Sequence, residues 1–364
     1  MNRLTAIGLA SLIAYGVLIA SKYTGVVSAA RDDRSAAPAV SQGASAPAPV
    51  LAPLQAEPHP QAVVAATPVP PAARMRASPI ALEFRGTRDL KAFADALGMR
   101  RDGLTSEERY YLARALEECQ FVMSLNEDLA AFSARQRRQF LSTLTPGDPI
   151  NTRRIAAYDA SDNAQRCLGF QGTRVSQKDI EALYALAAQQ GDPRAQAHML
   201  VAELTTKTAN ANRSAEQASA PAPSRTIDYA DLTRLEGLLS TRDPEAIMQV
   251  GQFLANPTIA NQLRVGPNGE TPEAQSFLGA FTLVVCDYAP DCVNLVRERE
   301  QACAYGGYCT PTTFEEIFQN YLASPWQYAA ANRYRDYIHS AINSQNWSLI
   351  GLGPKRAGAI RLPQ

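Results

Sequence analysis

The sequence DIEALYALAAQQGDPRA spans residues 179–195, and a similar sequence, DLTRLEGLLSTRDPEA, spans residues 231–246. In both copies, leucines follow the first Asp by four and seven residues, which is the spacing of one helix face. An Asp-Pro pair comes 13 residues after that Asp in the first copy and 12 in the second. Asp caps a helix and Pro fits its first turn, so each pair predicts a new helix. We therefore predict two stacked helical hairpins, because one such unit cannot bury its apolar face alone.

The stretch LYALAAQQGDPRAQ, residues 183–196, resembles part of a Sel1-like repeat, a family related to tetratricopeptide repeats. Members of that family are α-solenoids that usually act as protein-interaction scaffolds. The resemblance is confined to this short stretch, and the family's Gly-rich turn between paired helices is not recognisable. It implies an α-solenoid-like array and a protein partner. The Cys-rich carboxyl-terminal region is also similar to uncharacterised secreted proteobacterial proteins, which imply no function.

Helix signals extend over the rest of the folded part. Thr105 and Glu108 form a capping-box pattern, as do Ser176 and Asp179, and each predicts the start of a helix. Thr271-Pro272 predicts another start, and the apolar run 274–286 is interpreted as one buried helix. Sustained period-2 alternation is absent from the sequence. The predicted fold class is all-α, an irregular helical-hairpin or α-solenoid-like array with disulfides.

The amino terminus carries an export signal. Residues 1–30 combine Arg3, an uncharged apolar run at residues 4–20 and small residues near position 30, as secretory signals do. The apolar run reaches the lower limit of membrane-spanning length, so cleavage and retention as a single-pass membrane tether both remain open. Either alternative predicts a periplasmic location for the rest of the chain. Ten prolines lie between Pro38 and Pro79 and predict a disordered Ala/Pro-rich linker at 31–79.

Composition limits the classes of function. The chain has 35 basic and 35 acidic residues, whereas a nucleic-acid-binding protein would carry a basic surplus. A nucleic-acid partner is therefore not expected. After the linker, the predicted regions are a helical region at 80–206, a disordered loop at 207–225, a Cys-rich helical region at 226–348 and a disordered tail at 349–364.

Six cysteines in an exported chain predict three disulfides. Helix geometry favours Cys286–Cys292, because a short turn joins two helices that would run antiparallel. Cys303 would lie about 16 Å along the second helix, too far from Cys286 for a bridge. Cys303–Cys309 follows from the same reasoning. The remaining bridge joins Cys119 and Cys167.

Recognisable catalytic and metal motifs are missing from the sequence. A zinc site is disfavoured because the spacings between the last four cysteines, six, eleven and six residues, are unlike those of common zinc motifs. No phosphate-binding loop, Gly-x-Ser-x-Gly elbow or His-Glu-x-x-His pattern is present. We expect no cofactor and no metal, and we assign no catalytic residue. A helical cell-wall hydrolase with a single acid remains an alternative, with Glu118 as its candidate.

Aromatic residues concentrate near the carboxyl terminus, between residues 305 and 347. Tyr, Trp and Arg dominate binding hot spots, so an exposed share of these residues would form a protein-binding or sugar-stacking face. Core packing is the alternative. The residues of the possible binding face are Tyr305, Tyr308, Trp326, Tyr328, Arg333, Tyr334 and Arg335.

Three functions are compatible with these features. The first is a cell-envelope protein-binding or scaffold module with an envelope protein as its partner. The second is an envelope enzyme that acts on peptidoglycan or another glycan through an unrecognised acidic residue. The third is a structural accessory of a secretion or envelope assembly. A buried carboxyl group with a strongly raised pKa would favour the enzyme, and an exposed aromatic patch would favour binding.

Overall fold

A computed structural model of the 364-residue chain describes residues 77–100, 103–123, 128–217, 227–289, 292, 295–311 and 313–353. Within these residues the fold is helical and contains no strand, which confirms the predicted all-α class. Val265 and Glu270 form an isolated antiparallel bridge there. The α-helices of the described residues are α1 (Pro79–Gly86), α2 (Leu90–Gly98), α3 (Ser106–Glu118), α4 (Gln120–Met123), α5 (Leu129–Ser142), α6 (Asn151–Ser161), α7 (Asn163–Arg166), α8 (Gln177–Gln189), α9 (Pro193–Gln217), α10 (Tyr229–Ser240), α11 (Pro244–Leu254), α12 (Pro257–Ala260), α13 (Ala274–Tyr288), α14 (Val296–Gly306), α15 (Phe314–Ile317) and α16 (Pro325–Ser344).

Several predictions fall outside the described residues. They are the signal sequence or anchor at 1–30, the linker up to residue 76, the part of the predicted loop at 218–225 and the part of the predicted tail at 354–364. The linker was predicted to end too late, because Ser78 caps α1 and Pro79 is already its first residue. In the described part of the chain, no helix combines the length and the apolar character needed to cross a membrane.

Local capping chemistry sets the helix starts. Thr105 accepts a hydrogen bond from the Glu108 amide, and the Glu108 carboxylate accepts one from the Thr105 amide. Ser176 and Asp179 form the same reciprocal pair at the start of α8. Both predicted capping boxes are confirmed, because each motif needs only residues three apart in the chain.

The Asp-Pro prediction is confirmed at two positions, and the Thr-Pro prediction is wrong. Asp192 and Asp243 each accept hydrogen bonds from amides in the first turn of the helix that follows. Helix α13 instead begins two residues after Pro272, at Ala274. The Glu273 carboxylate caps it, since a charged acceptor binds the free amides more strongly than the Thr271 hydroxyl would.

The two predicted repeat copies form consecutive helical hairpins. Helices α8 and α9 make the first hairpin, α10 and α11 make the second, and α9 packs against both helices of the second. On the outer sides, α3 covers α8 while α13 packs between α11 and α16. Ala195 of α9 belongs to a first hydrophobic core built on α1, α2, α3 and α8, and Ala197 belongs to a second core built mainly on α9–α11, α13 and α16. Helix α9 therefore joins the two cores.

Two predicted boundaries are wrong. Residues 207–217 were predicted as the start of a disordered loop, yet they continue α9. The Lys207 ammonium lies 2.7 Å from Asp228 Oδ2 and 2.6 Å from Asp231 Oδ2, which fixes the middle of α9 against the start of α10. The predicted start of a disordered tail at residue 349 is also wrong, because Ile350 and Leu352 are fully buried in the second core.

Candidate functional site

The disulfides join the predicted cysteines. Cα atoms are 4.4 Å apart in both Cys286–Cys292 and Cys303–Cys309, and 5.2 Å apart in Cys119–Cys167. The pairs are confirmed, but the antiparallel arrangement used to derive them is not. Helix α14 has α6 as its main neighbour rather than α13. The two short bridges form because six residues of chain already keep their ends close.

The predicted binding face is divided between the core and the surface. Tyr334 is buried and its ring meets Phe277 edge-on, with centroids 5.6 Å apart. The Tyr328 hydroxyl donates to Glu315 Oε1 over 3.0 Å, and Arg335 Nη1 donates to the same oxygen over 3.1 Å. Tyr328, Tyr334 and Arg335 thus have structural partners, as the core-packing alternative proposed.

Arg335 and His339 extend this polar contact along α16. Arg335 Nε donates to Asp287 Oδ2 over 2.7 Å, and His339 Nε2 lies 2.7 Å from the same oxygen. Burial would raise the pKa of Asp287, but His339 and Arg335 outweigh burial and lower it. The carboxylate therefore ties α16 to the end of α13. Arg333 is exposed, with its guanidinium 6.0 Å from the Tyr334 ring centroid.

Of the other residues predicted for the binding face, Trp326 is exposed and Tyr308 is half-buried, and Tyr308 pairs with a residue that was not predicted, Tyr321. The rings of Tyr308 and Tyr321 stack with centroids 4.1 Å apart and planes inclined by 18°. Tyr321 is 40% exposed and Trp326, beyond the short turn at residues 323–324, is 60% exposed. Tyr308, Tyr321 and Trp326 are called the aromatic surface below.

Tyr305 is separate from this stack, because its ring packs at 5.7 Å from Phe140 and 6.0 Å from Tyr158. It still remains 49% exposed. Arg154 of α6 donates to the carbonyl oxygens of Ala304 and Tyr305. Tyr305 therefore contributes to the contact between α6 and α14.

Backbone geometry holds Tyr308 and exposes Tyr321. The Cys303–Cys309 bridge closes the turn that carries Tyr308. A Cβ on Gly306 would lie 2.6 Å from the Tyr308 ring, so the ring lies directly over this glycine. After Ile317 the chain forms a π-helix over residues 318–322. Within this π-helix Phe318 is buried, whereas Tyr321 is exposed.

The two Asp-Pro turns meet in a buried charged cluster that the sequence did not indicate. Arg194 follows Asp192 by two residues, and Glu245 follows Asp243 by two residues. Arg194 Nη2 lies 2.6 Å from Asp192 Oδ2, and its Nε lies 4.0 Å from Asp243 Oδ2. Its Nη1 lies 2.5 Å from Glu107 Oε1 of α3. One guanidinium therefore connects both hairpins to α3.

Glu245 supplies a negative charge to this cluster. It forms an ion pair with Arg85 of α1 and accepts a 3.0 Å hydrogen bond from the Tyr111 hydroxyl. Burial would raise the pKa of Glu245, but Arg85, Arg114 and Arg194 outweigh burial and lower it. The ionised carboxylate has no proton to donate at neutral pH. Electrostatic attraction in this cluster therefore holds the two hairpins against α1 and α3. The sequence indicates the cluster only through the opposite charges of Arg194 and Glu245, which occupy equivalent positions in the two repeat copies.

Glu118, the acid considered from sequence, is buried and held by two arginines. Its Oε1 accepts hydrogen bonds from Arg166 Nη1 over 2.7 Å and from Arg297 Nη1 over 2.9 Å. Glu298 lies beside Arg297 in the chain, and its Oε2 is buried without a hydrogen-bond partner. Burial raises the pKa of Glu298, although the charges of Arg297 and Arg85 oppose that shift. Sequence reasoning missed Glu298 because burial of its Oε2 depends on distant elements, since the neighbouring Arg297 pairs with Glu118 of α3.

Both histidines that the structure describes, His198 and His339, contact side chains that hold them in place. His198 stacks on Tyr184 with ring centroids 3.8 Å apart, and burial lowers the pKa of His198. His339 is held by Asp287 as described above. Among the residues that the structure describes, no three His, Cys, Asp or Glu side chains come together in a way that could hold a metal ion.

Two features therefore remain as candidates for function. They are the aromatic surface and the carboxyl group of Glu298, whose Oε2 is buried. The helical hairpins are the architecture that a Sel1-like resemblance implies, and the resemblance itself stays a prediction. Comparisons of the chain with protein-family models, curated proteins and solved structures give no match.

Proposed function

We propose that the chain is a cell-envelope protein-binding or scaffold module that holds an envelope protein through its aromatic surface. The observation that carries the proposal is the stacked pair Tyr308–Tyr321, with Tyr321 exposed, together with the exposed Trp326. Large aromatic side chains dominate binding energy and lose little conformational entropy on binding. A disulfide and a glycine contact already fix Tyr308, so binding would order few additional groups.

The predicted export signal and the disulfides support the cellular location in this proposal. Three disulfides suit an oxidising compartment such as the periplasm. A signal sequence or anchor at 1–30, followed by a Pro-rich linker, would place the folded part at a distance from the membrane. A scaffold on a long tether could then contact a partner away from the inner membrane.

Crosslinking in intact envelopes tests the proposal. Wild type, Trp326→Ala and the matched control Tyr229→Ala would be isolated after crosslinking, and captured proteins compared quantitatively. Tyr229 is a suitable control because it is 66% exposed and lies on α10, outside the aromatic surface. We expect Trp326→Ala to lose a specific partner that Tyr229→Ala retains. The proposal would be contradicted if the two variants captured the same partner equally, or if none of the three proteins captured a specific partner.

An envelope enzyme acting on peptidoglycan or another glycan is the second candidate, favoured by the buried and unpartnered Oε2 of Glu298. A carboxyl group with a raised pKa can serve as a general acid. Purified full-length protein would be incubated with isolated peptidoglycan, and soluble fragments quantified. Release that Glu298→Gln abolishes would support this candidate, and absence of release by wild type would exclude peptidoglycan hydrolysis.

A further inference from the structure

We infer that Asn268 is a covalent modification site, at which attack by the Gly269 amide nitrogen deamidates Asn268 to aspartate and isoaspartate while the chain is folded. Asn268-Gly269 is the only Asn-Gly pair in the sequence. The reacting group is the Asn268 carboxamide, and the co-reactant is water. The reaction involves none of the residues of the aromatic surface, so it is independent of the proposed function.

The turn that carries Asn268 is anchored at its base and open at its tip. Val265 and Glu270 exchange two backbone hydrogen bonds, of 2.8 and 2.9 Å, and the Gly266 amide donates to the Leu349 carbonyl oxygen over 2.8 Å. Val265 belongs to the second core and is fully buried. Asn268 and the glycine that follows it are exposed. Water and hydroxide therefore reach both reacting residues.

The backbone conformation requires glycine directly after Asn268. Gly269 has a φ of +63°, in the left-handed region that residues with a Cβ seldom occupy. Crowding is not the reason for this glycine, since a Cβ there would lie no closer than 3.9 Å to Arg264 Cβ. The absence of a Cβ also leaves the Gly269 nitrogen unhindered towards the preceding side chain. The turn thus requires the residue type that exposes Asn268 to attack.

Few contacts restrain the reacting atoms. In the part of the chain that the structure describes, no hydrogen bond holds the Asn268 carboxamide. The Gly269 amide donates to the Gly266 carbonyl oxygen over 3.3 Å, which is longer than the usual distance of about 2.9–3.0 Å. Attack therefore requires rotation of an exposed side chain and the loss of one long hydrogen bond.

Asn343 provides a contrast within the same chain. Its Oδ1 accepts a hydrogen bond from Arg242 Nη2 over 3.2 Å, which restrains the carboxamide. The next residue, Ser344, still belongs to helix α16 and carries a Cβ. Attack by its amide would require the end of the helix to unwind. We therefore expect Asn343 to stay unmodified while Asn268 reacts.

The proposed reaction balances without an oxidant or a reductant. A base in solution removes the Gly269 amide proton, and the nitrogen forms a bond to Asn268 Cγ. The Cγ–Nδ2 bond breaks and the side-chain nitrogen leaves as ammonia, which gives a five-membered cyclic imide. Water then adds to one of the two imide carbonyl carbons. Opening at Cγ gives aspartate, and opening at the backbone carbonyl carbon gives isoaspartate. The closeness of the two groups along the chain favours this intramolecular attack.

The two products affect the turn differently. Either one adds a carboxylate, so that 35 basic and 35 acidic residues become 35 and 36, and the net charge changes from zero to −1. Aspartate leaves the main chain as it was. Isoaspartate adds one main-chain atom between Val265 and Glu270, so their paired hydrogen bonds no longer align. We expect only the isoaspartyl form to lose protection of these two amides from hydrogen exchange.

Incubation of purified full-length protein in mildly alkaline buffer tests the inference. Isoelectric focusing and peptide mass mapping would follow samples taken over time. We expect a shift to a more acidic band with one additional negative charge, and a mass change located at Asn268 and absent at Asn343. The rate should rise with pH, because the attacking nitrogen must lose its proton. If Asn268 stayed unmodified throughout, the inference would be overturned.

Asn268→Gln is the matched control. Its longer side chain would have to close a six-membered ring, so we expect loss of the acidic band over the same incubation. Asn268→Asp marks the position of the product band from the start. An acidic band that forms equally fast in Asn268→Gln would place the reaction elsewhere and overturn the inference. Modification of wild type only in urea would also overturn it, because the folded turn would then block the attack.

Discussion

Glu118 shows at the residue scale how a buried carboxylate depends on its partners. Arg166 Nη1 and Arg297 Nη1 both donate to its Oε1, and Arg166 also donates to the carbonyl oxygens of Phe84 and Thr87. Removing one member of a buried ion pair leaves an uncompensated charge in a poorly solvated place. Glu118 therefore contributes to stability mainly by neutralising the positive charges of Arg166 and Arg297.

We expect Glu118→Ala to lower the free energy of unfolding by about 3–5 kcal/mol, because Arg166 and Arg297 lose their carboxylate. Urea titration followed by circular dichroism would measure the loss. Glu203→Ala is the control, since Glu203 pairs with Arg234 in solvent and should cost less than about 1 kcal/mol. Similar losses in the two variants would show that burial of the Glu118 pair has no special effect.

The pKa of Asp243 predicts that the free energy of unfolding depends on pH. Burial raises its pKa to about 6, although amide hydrogen bonds at the start of α11 and Arg194 oppose burial. Between about pH 4 and pH 6, the folded chain keeps a proton that the unfolded chain has released. Stability from this group is therefore present at low pH and falls by about 3 kcal/mol as pH rises through that window.

Asp243→Asn should remove this dependence, because Asn stays neutral and also caps helices well. The difference in unfolding free energy between Asp243→Asn and wild type should increase in favour of the variant by about 3 kcal/mol from pH 4 to pH 7. Urea titrations at several pH values would measure it. A difference that is constant over this range would show that Asp243 has an ordinary pKa.

At the scale of elements, glycine allows α11 and α13 to approach closely. A Cβ on Gly251 would lie 2.4 Å from Phe281 Cγ and 2.6 Å from Phe281 Cβ. Phe281 Cβ is bonded directly to the backbone, so a rotamer change cannot move it away from the added methyl group. The separation of the two helices therefore requires glycine at position 251.

Gly251→Ala should lower the free energy of unfolding by about 1–3 kcal/mol, since the added methyl group overpacks the interface. Gly237→Ala is the matched control, because Gly237 lies in helix α10 and a Cβ there would meet no atom within 4 Å. The control should gain about 0.5–1 kcal/mol from helix propensity. Stabilisation by both substitutions would contradict the proposed close packing.

At the scale of the whole molecule, charged contacts and α9 connect the two cores. Arg85 and Tyr111, from elements of the first core, bind Glu245 of the second. Arg297 of α14 binds Glu118 of α3. Since these contacts are buried or half-buried, separating the cores would expose unpaired charges in both. We therefore expect the two cores to unfold together.

Removal of the Cys119–Cys167 bridge tests this cooperativity. The bridge lies in the first core and spans 48 residues, so Cys119→Ala/Cys167→Ala should lose about 4 kcal/mol in the chain-entropy model. Trp347 lies in the second core, so tryptophan fluorescence follows that core. Fluorescence and circular dichroism should show one common transition at lower urea concentration. A fluorescence transition unchanged from wild type would mean that the cores unfold separately.

Sequence reasoning succeeded where the relevant residues are neighbours in the chain. The capping boxes at Thr105 and Ser176 and the short disulfides Cys286–Cys292 and Cys303–Cys309 depend on residues three or six positions apart. It failed at the start of α13, where Glu273 competed successfully with Thr271. It also did not indicate the π-helix at residues 318–322, which contains the exposed Tyr321.

The sequence by itself determined the all-α class, the helical hairpins and the two short cysteine pairs, because capping, periodicity and short chain closure are local. Only the tertiary structure decided which charges meet. Arg85 and Glu245 are 160 residues apart, and Glu118 and Arg297 are 179 apart. It also decided which aromatic rings stay exposed, since Tyr334 and Tyr321 have the same side chain, yet Tyr334 is buried and Tyr321 is exposed. Burial depends on packing between distant elements, and no local pattern specifies that packing.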